Sequence, residues 1–99
     1  MKFKFKVLKD INSIILDKDI DKRKISIFSM KMFYFISEEF INSNKSIKTE
    51  KIYTISSLCA DNIECMLNNL YEFHNLPNYT DDELYKLIYN IIIINIKYI

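Results

Sequence analysis

The C-terminal stretch, residues 79–99, constrains this chain more than any other segment, because it is apolar on two sides of one predicted helix. Thr80 is a suitable N-cap, and Glu83 three residues later completes a capping box. One apolar stripe comprises Leu84, Leu87, Ile88, Ile91 and Ile94, and a second comprises Tyr85, Tyr89, Ile92 and Ile96. A surface helix needs only one apolar face. We therefore expect another protein to cover the second face.

Two other arrangements fit the same residues. The helix could be buried on all sides in the core of its own domain. Alternatively, residues 91–96 could form a terminal, isoleucine-rich β-strand. The interruptions at Asn90 and Asn95 make the apolar run too short for a membrane span.

The first residues alternate between lysine and apolar side chains. Phe3, Phe5 and Val7 fall on one side of an extended chain, and the intervening lysines fall on the other. This pattern predicts a half-buried strand over residues 2–8. A turn at 9–13 and a second short strand at 14–16 would complete a hairpin.

The middle of the chain predicts a mixture of elements. A charged surface connection over 17–24 precedes a helix with Ser29 as its N-cap, whose buried stripe is Met32, Phe35, Ile36 and Phe40. After a loop at 42–51, a third strand covers 51–55 and ends at Ser56 and Ser57. A helix follows at 60–73, and a turn at 74–78 holds the only proline. Taken in order, these elements predict a single α+β domain over residues 1–99, with a small three-stranded sheet packed on a helical layer.

Composition argues against several function classes. The net charge is +1 and there is no basic excess, so we expect no nucleic-acid partner. Glycine is absent, which argues against phosphate-cradling loops and tight two-residue hairpins. Cys59 and Cys65 are expected to be reduced, and His74 has no other ligand at metal-binding spacing. We therefore predict a protein that is not an enzyme, uses no metal or cofactor, has no membrane partner, and resides in the cytoplasm, the nucleus or both.

Several segments resemble the BTB/POZ family. Residues 53–71 resemble the middle of such a domain, where a strand, a turn with an apolar residue (Leu58) and a helix ending in an aliphatic-Tyr pair follow one another. The family pattern continues at Thr80, Leu84, Leu87, Ile88, Ile93, Ile94, Asn95 and Ile96, and earlier at Ile25, Ser29, Met32, Phe35 and Ile36. The chain departs from the pattern at Asp10-Ile11, where the family has Asp-Gly. It is most similar to the stand-alone members, elongin C and Skp1.

This resemblance implies an adaptor that links a cullin scaffold to a helical-box substrate receptor in a ubiquitin ligase. The receptor would dock a helix on the last helix of this chain, in contact with Tyr71, Leu87, Ile91, Ile93 and Ile96. The resemblance also implies a hetero-oligomer rather than a homodimer. Two alternatives stay open: a BTB-only protein that is a homodimer or a viral competitor for a cullin, and an unrelated small inhibitor or immunity-type binding protein.

Overall fold

The computed structural model describes residues 2–15, 19–43 and 46–97, and these residues are 87% helical and contain no strand. The helices are α1 (Lys2–Ile15), α2 (Lys22–Ser43), α3 (Thr49–Glu72) and α4 (Asp81–Ile96), with a short 3-10 helix (Leu76–Asn78) before α4. The expected α+β domain with a three-stranded sheet is therefore wrong. No helix in these ranges is both long and apolar enough to cross a membrane.

The helices form a closed ring, in which each packs on its neighbours in sequence and α1 also packs on α4. Short connections make neighbouring helices antiparallel. Two exposed ion pairs join the start of one helix to the end of its neighbour, as antiparallel packing requires. Lys22 at the start of α2 lies 2.6 Å from Glu72 at the end of α3, and Lys6 near the start of α1 lies 3.5 Å from Glu38 near the end of α2. The described chain is thus an up-and-down four-helix bundle, measuring 42 × 23 × 20 Å.

The segment expected to be the first hairpin is α1. Val7, Ile11 and Ile14 are buried at helical spacing, whereas Phe5, placed inside by the strand pattern, is 70% exposed. The expected turn at 9–13 lies within this helix, as does Ile14 of the second expected strand, while Leu16 lies outside the described residues. The alternation of lysine and apolar residues is confined to the start of α1, whereas the helical spacing of apolar residues continues along this helix of 14 residues. The helical spacing therefore determines which side chains are buried.

The segment expected to be the third strand is the first half of α3. Ile52, Ile55, Cys59 and Ile63 are buried at spacings of three and four. Ser56 does not end a strand, because it is fully buried in the middle of this helix. The helix predicted at 60–73 is confirmed as the second half of α3, which ends at Glu72.

The start of α2 also differs from expectation. Ser29 is not an N-cap; it is buried inside the helix, where its Oγ donates a hydrogen bond to the carbonyl oxygen of Ile25 at 3.0 Å. The helix begins seven residues earlier, at Lys22, and Asp21 Oδ1 accepts a hydrogen bond from the Lys24 backbone N–H at 3.0 Å. The charged residues expected to form a connection therefore include the exposed first turn of α2.

The final helix begins where the sequence predicts. Thr80 Oγ1 accepts from the Glu83 backbone N–H at 3.2 Å, and Glu83 Oε1 accepts from the Thr80 N–H at 3.0 Å, so the capping box is confirmed. The alternative terminal strand is wrong. Both apolar stripes contribute buried residues, namely Leu84, Tyr85, Ile88 and Ile92. The chain buries much of both stripes because α1 and α3 pack on α4.

The turn predicted between α3 and α4 is confirmed. His74 adopts a left-handed backbone conformation with φ of 57°, although glycine is the residue that most easily occupies this region. The Asn75 N–H donates to the Leu70 carbonyl at 2.8 Å, which closes the end of α3. Pro77 then lies in the 3-10 helix that leads to Thr80.

Candidate protein-binding site

A groove opens beside the first turn of α1, between the C-terminal half of α2 and residues 85–96 of α4. We call it the α2–α4 groove. Its volume is about 270 Å³. The lining residues are Phe3 of α1, Ile36, Glu39, Phe40 and Ser43 of α2, and Tyr85, Tyr89, Ile92, Ile93 and Ile96 of α4. Small-molecule sites typically measure about 300–1,000 Å³. The volume of the groove lies just below this range, and its mostly apolar lining suits apolar side chains of another protein.

The second apolar stripe of α4 forms one wall of the groove. Tyr85 and Tyr89 lie one turn apart, and their rings stack with centroids 5.9 Å apart. Ile93 and Ile96 continue the wall toward the end of the helix; Ile93 is exposed and Ile96 is half-buried. Phe40 of α2 is half-buried and forms the opposite side, so the groove is apolar along its length.

Charged groups lie at the border of the groove. The Lys4 ammonium lies 5.3 Å from the centre of the Tyr85 ring, and Glu39 belongs to the lining. Burial raises the pKa of the Tyr85 hydroxyl, with smaller contributions from Tyr89 and the Glu39 carboxylate. Tyr85 thus stays neutral around physiological pH, which keeps this wall compatible with an apolar ligand.

The predicted contact residues separate into two groups. Ile93 and Ile96 line the α2–α4 groove. Leu87, Ile91 and Tyr71 do not line it; they are half-buried and pack against the core. Contact between these three residues and a partner stays a prediction.

The contact residues chosen from the family resemblance did not include Phe3, Phe40, Tyr85 or Tyr89, although the second apolar stripe of α4, which contains both tyrosines, was expected to face a partner. Phe3 was expected on a strand, and Phe40 was expected in the core. The second stripe of α4 already contained the signal for both tyrosines, because they share a helical face with Ile96. Selecting residues by the family resemblance instead of by that stripe missed them.

The side chains with nucleophilic or metal-binding potential, Cys59, Cys65 and His74, do not line the groove. Burial raises the pKa of the Cys59 thiol to about 11, so it stays protonated near neutral pH and is a poor nucleophile. Cys65 and His74 are exposed. Within the part of the chain that the structure describes, no three His, Cys, Asp or Glu side chains are grouped as a metal site would require.

Comparison of the chain with protein-family models, curated proteins and solved structures finds no match. The BTB/POZ resemblance therefore stays a prediction, and the sheet that it implies does not occur in the described residues. The groove must be interpreted from its own geometry.

Proposed function

We propose that this protein is a binding module that receives an amphipathic helix of another protein in the α2–α4 groove. The observation that carries the proposal is the composition of the lining. Every lining side chain except Glu39 and Ser43 is aromatic or aliphatic, and three helices contribute to it. Apolar concavities with a few polar groups at the border are typical of helix-in-groove recognition.

The dimensions of the groove support a helical ligand. The groove follows α4 from Tyr85 to Ile96, which corresponds to about 16 Å at the helical rise. Three turns of a bound helix have this length, so two or three anchor side chains at spacings of three and four would fit along it. Tyr89 and Ile93 are the wall residues with the most surface left to bury; they are 45% and 37% exposed. Their burial would favour binding through the hydrophobic effect.

The narrower role expected from the resemblance uses the same kind of contact. An adaptor between a cullin and a substrate receptor would also place a receptor helix on the last helix. That role rests on the resemblance alone, whereas the groove does not depend on a sheet. The binding experiment below includes it as one outcome.

Two neighbouring isoleucines provide a matched test. Ile93 lines the groove, whereas Ile94 is 56% exposed and is not part of the lining. The tagged protein would be used to capture partners from a lysate of the cells that express it, and binding to each purified partner would be measured by calorimetry. We expect Ile93→Asp to lose the partner and Ile94→Asp to retain it, with both variants folded by circular dichroism.

Three outcomes decide the proposal. A captured cullin with a helical receptor, lost only in Ile93→Asp, would establish the adaptor role. A different partner with the same dependence would establish the broader binding function. A partner that binds both variants equally, or no specific partner at all, would refute binding in the groove.

A further inference from the structure

Three aromatic rings meet on the outer side of α2 and α3. Phe33 and Tyr34 belong to α2, Tyr53 belongs to α3, and none of them lines the α2–α4 groove. The Phe33 and Tyr34 rings meet edge to face, with centroids 5.4 Å apart and planes at 78°, and the Phe33 and Tyr53 centroids are 6.0 Å apart. Tyr34 is 63% exposed and Tyr53 is 46% exposed. We call these three residues the aromatic corner, because two nearly perpendicular rings form it and much of it is open to solvent.

Two depressions adjoin the aromatic corner, and carboxylates line both of them. The first has a volume of about 450 Å³ and is lined by all three rings and Glu38. The second has a volume of about 190 Å³ and is lined by Phe33 and Tyr34 together with Asp61 and Glu64 of α3. Among the described residues, neither lining includes Lys, Arg or His. The surface around the corner is therefore acidic, although the chain as a whole has a net charge of +1.

The three carboxylates are available to a cation from outside the chain. Asp61 and Glu64 form no ion pair with another described residue. Glu38 lies 3.5 Å from Lys6 through its Oε2 atom, but the side chains of this pair are 57% and 42% exposed. Exposed ion pairs contribute little stability. Glu38 can therefore contact a ligand at little cost to the fold.

The combination of rings and carboxylates selects a cationic ligand. An aromatic face attracts a cation that lies within about 6 Å of the ring centre. An uncharged apolar ligand would remove the carboxylates from water and give them no partner, which is unfavourable. Arginine suits the site better than lysine, because its guanidinium is more weakly hydrated, stacks on aromatic rings and donates two parallel hydrogen bonds to one carboxylate.

The spacing of the depressions indicates how two cations would be presented. The first depression is lined by α2 between Phe33 and Ile41, and the second by α2 between Ser29 and Tyr34. At the helical rise per residue, the midpoints of these stretches are about 8 Å apart. In an extended peptide, alternate side chains point to the same side at intervals of about 7 Å. Two arginines separated by one residue of an extended segment therefore match the depressions.

We propose that the aromatic corner binds an extended segment of another protein that contains two arginines separated by one residue, with one guanidinium in each depression. Tyr34 contributes to both depressions and is the ring that both cations contact. The carboxylate of Glu38 accepts hydrogen bonds from one guanidinium, and those of Asp61 and Glu64 accept from the other. The site does not include the α2–α4 groove and does not depend on the proposed function.

The first test is a titration of the full chain with the capped peptide Ala-Arg-Ala-Arg-Ala, followed by NMR of the aromatic ring protons. We expect the ring signals of Phe33, Tyr34 and Tyr53 to shift with peptide concentration. The same peptide with citrulline, the uncharged analogue of arginine, should bind at least about 10-fold more weakly, because it loses both cations. Equal binding of the two peptides, or no shift with either up to about 10 mM, would overturn the proposal.

The second test removes one ring from each of two sites. Tyr34→Leu keeps an apolar side chain but loses the aromatic face, so its dissociation constant for the arginine peptide should rise about 3-fold or more. Tyr89→Leu is the matched control, since Tyr89 is an exposed ring of the α2–α4 groove. Thermal melts would show that both variants are folded. Unchanged binding in Tyr34→Leu would overturn the proposal, and a loss confined to Tyr89→Leu would assign the peptide to the groove.

The third test changes the spacing at constant charge. The capped peptide Ala-Arg-Arg-Ala-Ala has the same composition, but its adjacent arginines point to opposite sides of an extended chain. We expect this peptide to bind about 3-fold or more weakly than Ala-Arg-Ala-Arg-Ala, because only one guanidinium then reaches a ring. Equal binding of the two arginine peptides would indicate attraction by net charge alone and would overturn the placement of one guanidinium in each depression.

Discussion

Replacing Ser56 by alanine should stabilise this protein. Ser56 is fully buried in α3, and its Oγ has no hydrogen-bond partner among the described residues. Folding therefore removes this hydroxyl from water without replacing the bonds that water provided. Ser56→Ala deletes the hydroxyl and leaves the helix backbone unchanged.

The magnitude follows from three contributions. An unsatisfied buried polar group costs about 1–3 kcal/mol, and alanine favours a helix over serine by roughly 0.5 kcal/mol. The small void left by the missing oxygen atom is destabilising and offsets up to about 1 kcal/mol of this gain. We expect the free energy of unfolding to rise by about 1–2 kcal/mol. For a chain of this size, that corresponds to an increase in Tm of roughly 5–10 °C.

Urea denaturation followed by circular dichroism would measure the change, with two serines as controls. Ser57 is exposed, so Ser57→Ala should gain only the helix propensity. Ser29 donates to the Ile25 carbonyl, so Ser29→Ala loses a bond and should gain nothing. A Ser56→Ala variant less stable than wild type would refute the reasoning and would indicate that the hydroxyl is satisfied, for example by an internal water.

Three further predictions concern the N-cap of α4, the two cysteines and Ile91. Thr80→Ala should lower stability by about 1 kcal/mol through loss of the N-cap. The Thr80 backbone N–H, which the alanine variant keeps, lowers the pKa of Glu83; this stabilisation is present above the unfolded pKa and is lost as pH falls through the folded pKa, so denaturation curves at acidic pH should show the loss in wild type and in Thr80→Ala alike. Maleimide should label Cys65 in the native protein and Cys59 only on unfolding, as mass spectrometry can show; equal rates would contradict the burial of Cys59. Ile91→Asp should reduce the unfolding free energy by roughly 2–3 kcal/mol, because the side chain packs against the core; a stable variant that only loses a partner would instead make Ile91 a contact residue.

The last helix could be predicted because its signals are local and long. The capping box needs only Thr80 and Glu83, and the apolar period then extends over four turns. The coverage of its second stripe could not be predicted in the same way. It depends on α1, which the sequence reasoning had assigned to strands.

The strands were predicted from short segments, which are not long enough to distinguish the two-residue period of a strand from the 3.6-residue period of a helix. Alternation at residues 2–8 and an isoleucine-containing run at 51–55 both agree with a strand locally, yet Val7, Ile11 and Ile14 follow a helical period over a longer distance. With 19 isoleucines in the chain, the preference of this residue for strands carries little information. The absence of glycine was the better signal, because a tight two-residue hairpin depends on it.

The groove could not be predicted from the sequence for a different reason. Its two walls come from α2 and α4, which are not neighbours in the ring, and only the tertiary arrangement brings Phe40 and Tyr89 to one cavity. Ile93 and Ile96 were identified because they lie on a helix that the sequence predicts correctly. Phe3 was not, because its place in the cavity depends on α1 being a helix.

The ring order of the helices has a consequence for folding kinetics. α2, α3 and α4 each follow the helix they pack against after a short connection, so most loop closures along the pathway are short and cost little entropy. Among the described residues, the contact between α1 and α4 is the most extensive one that joins distant parts of the chain. Proteins dominated by local contacts fold within microseconds to milliseconds. We therefore expect the α2–α3 hairpin to assemble early, and the docking of α1 on α4, which also completes the α2–α4 groove, to be the late event.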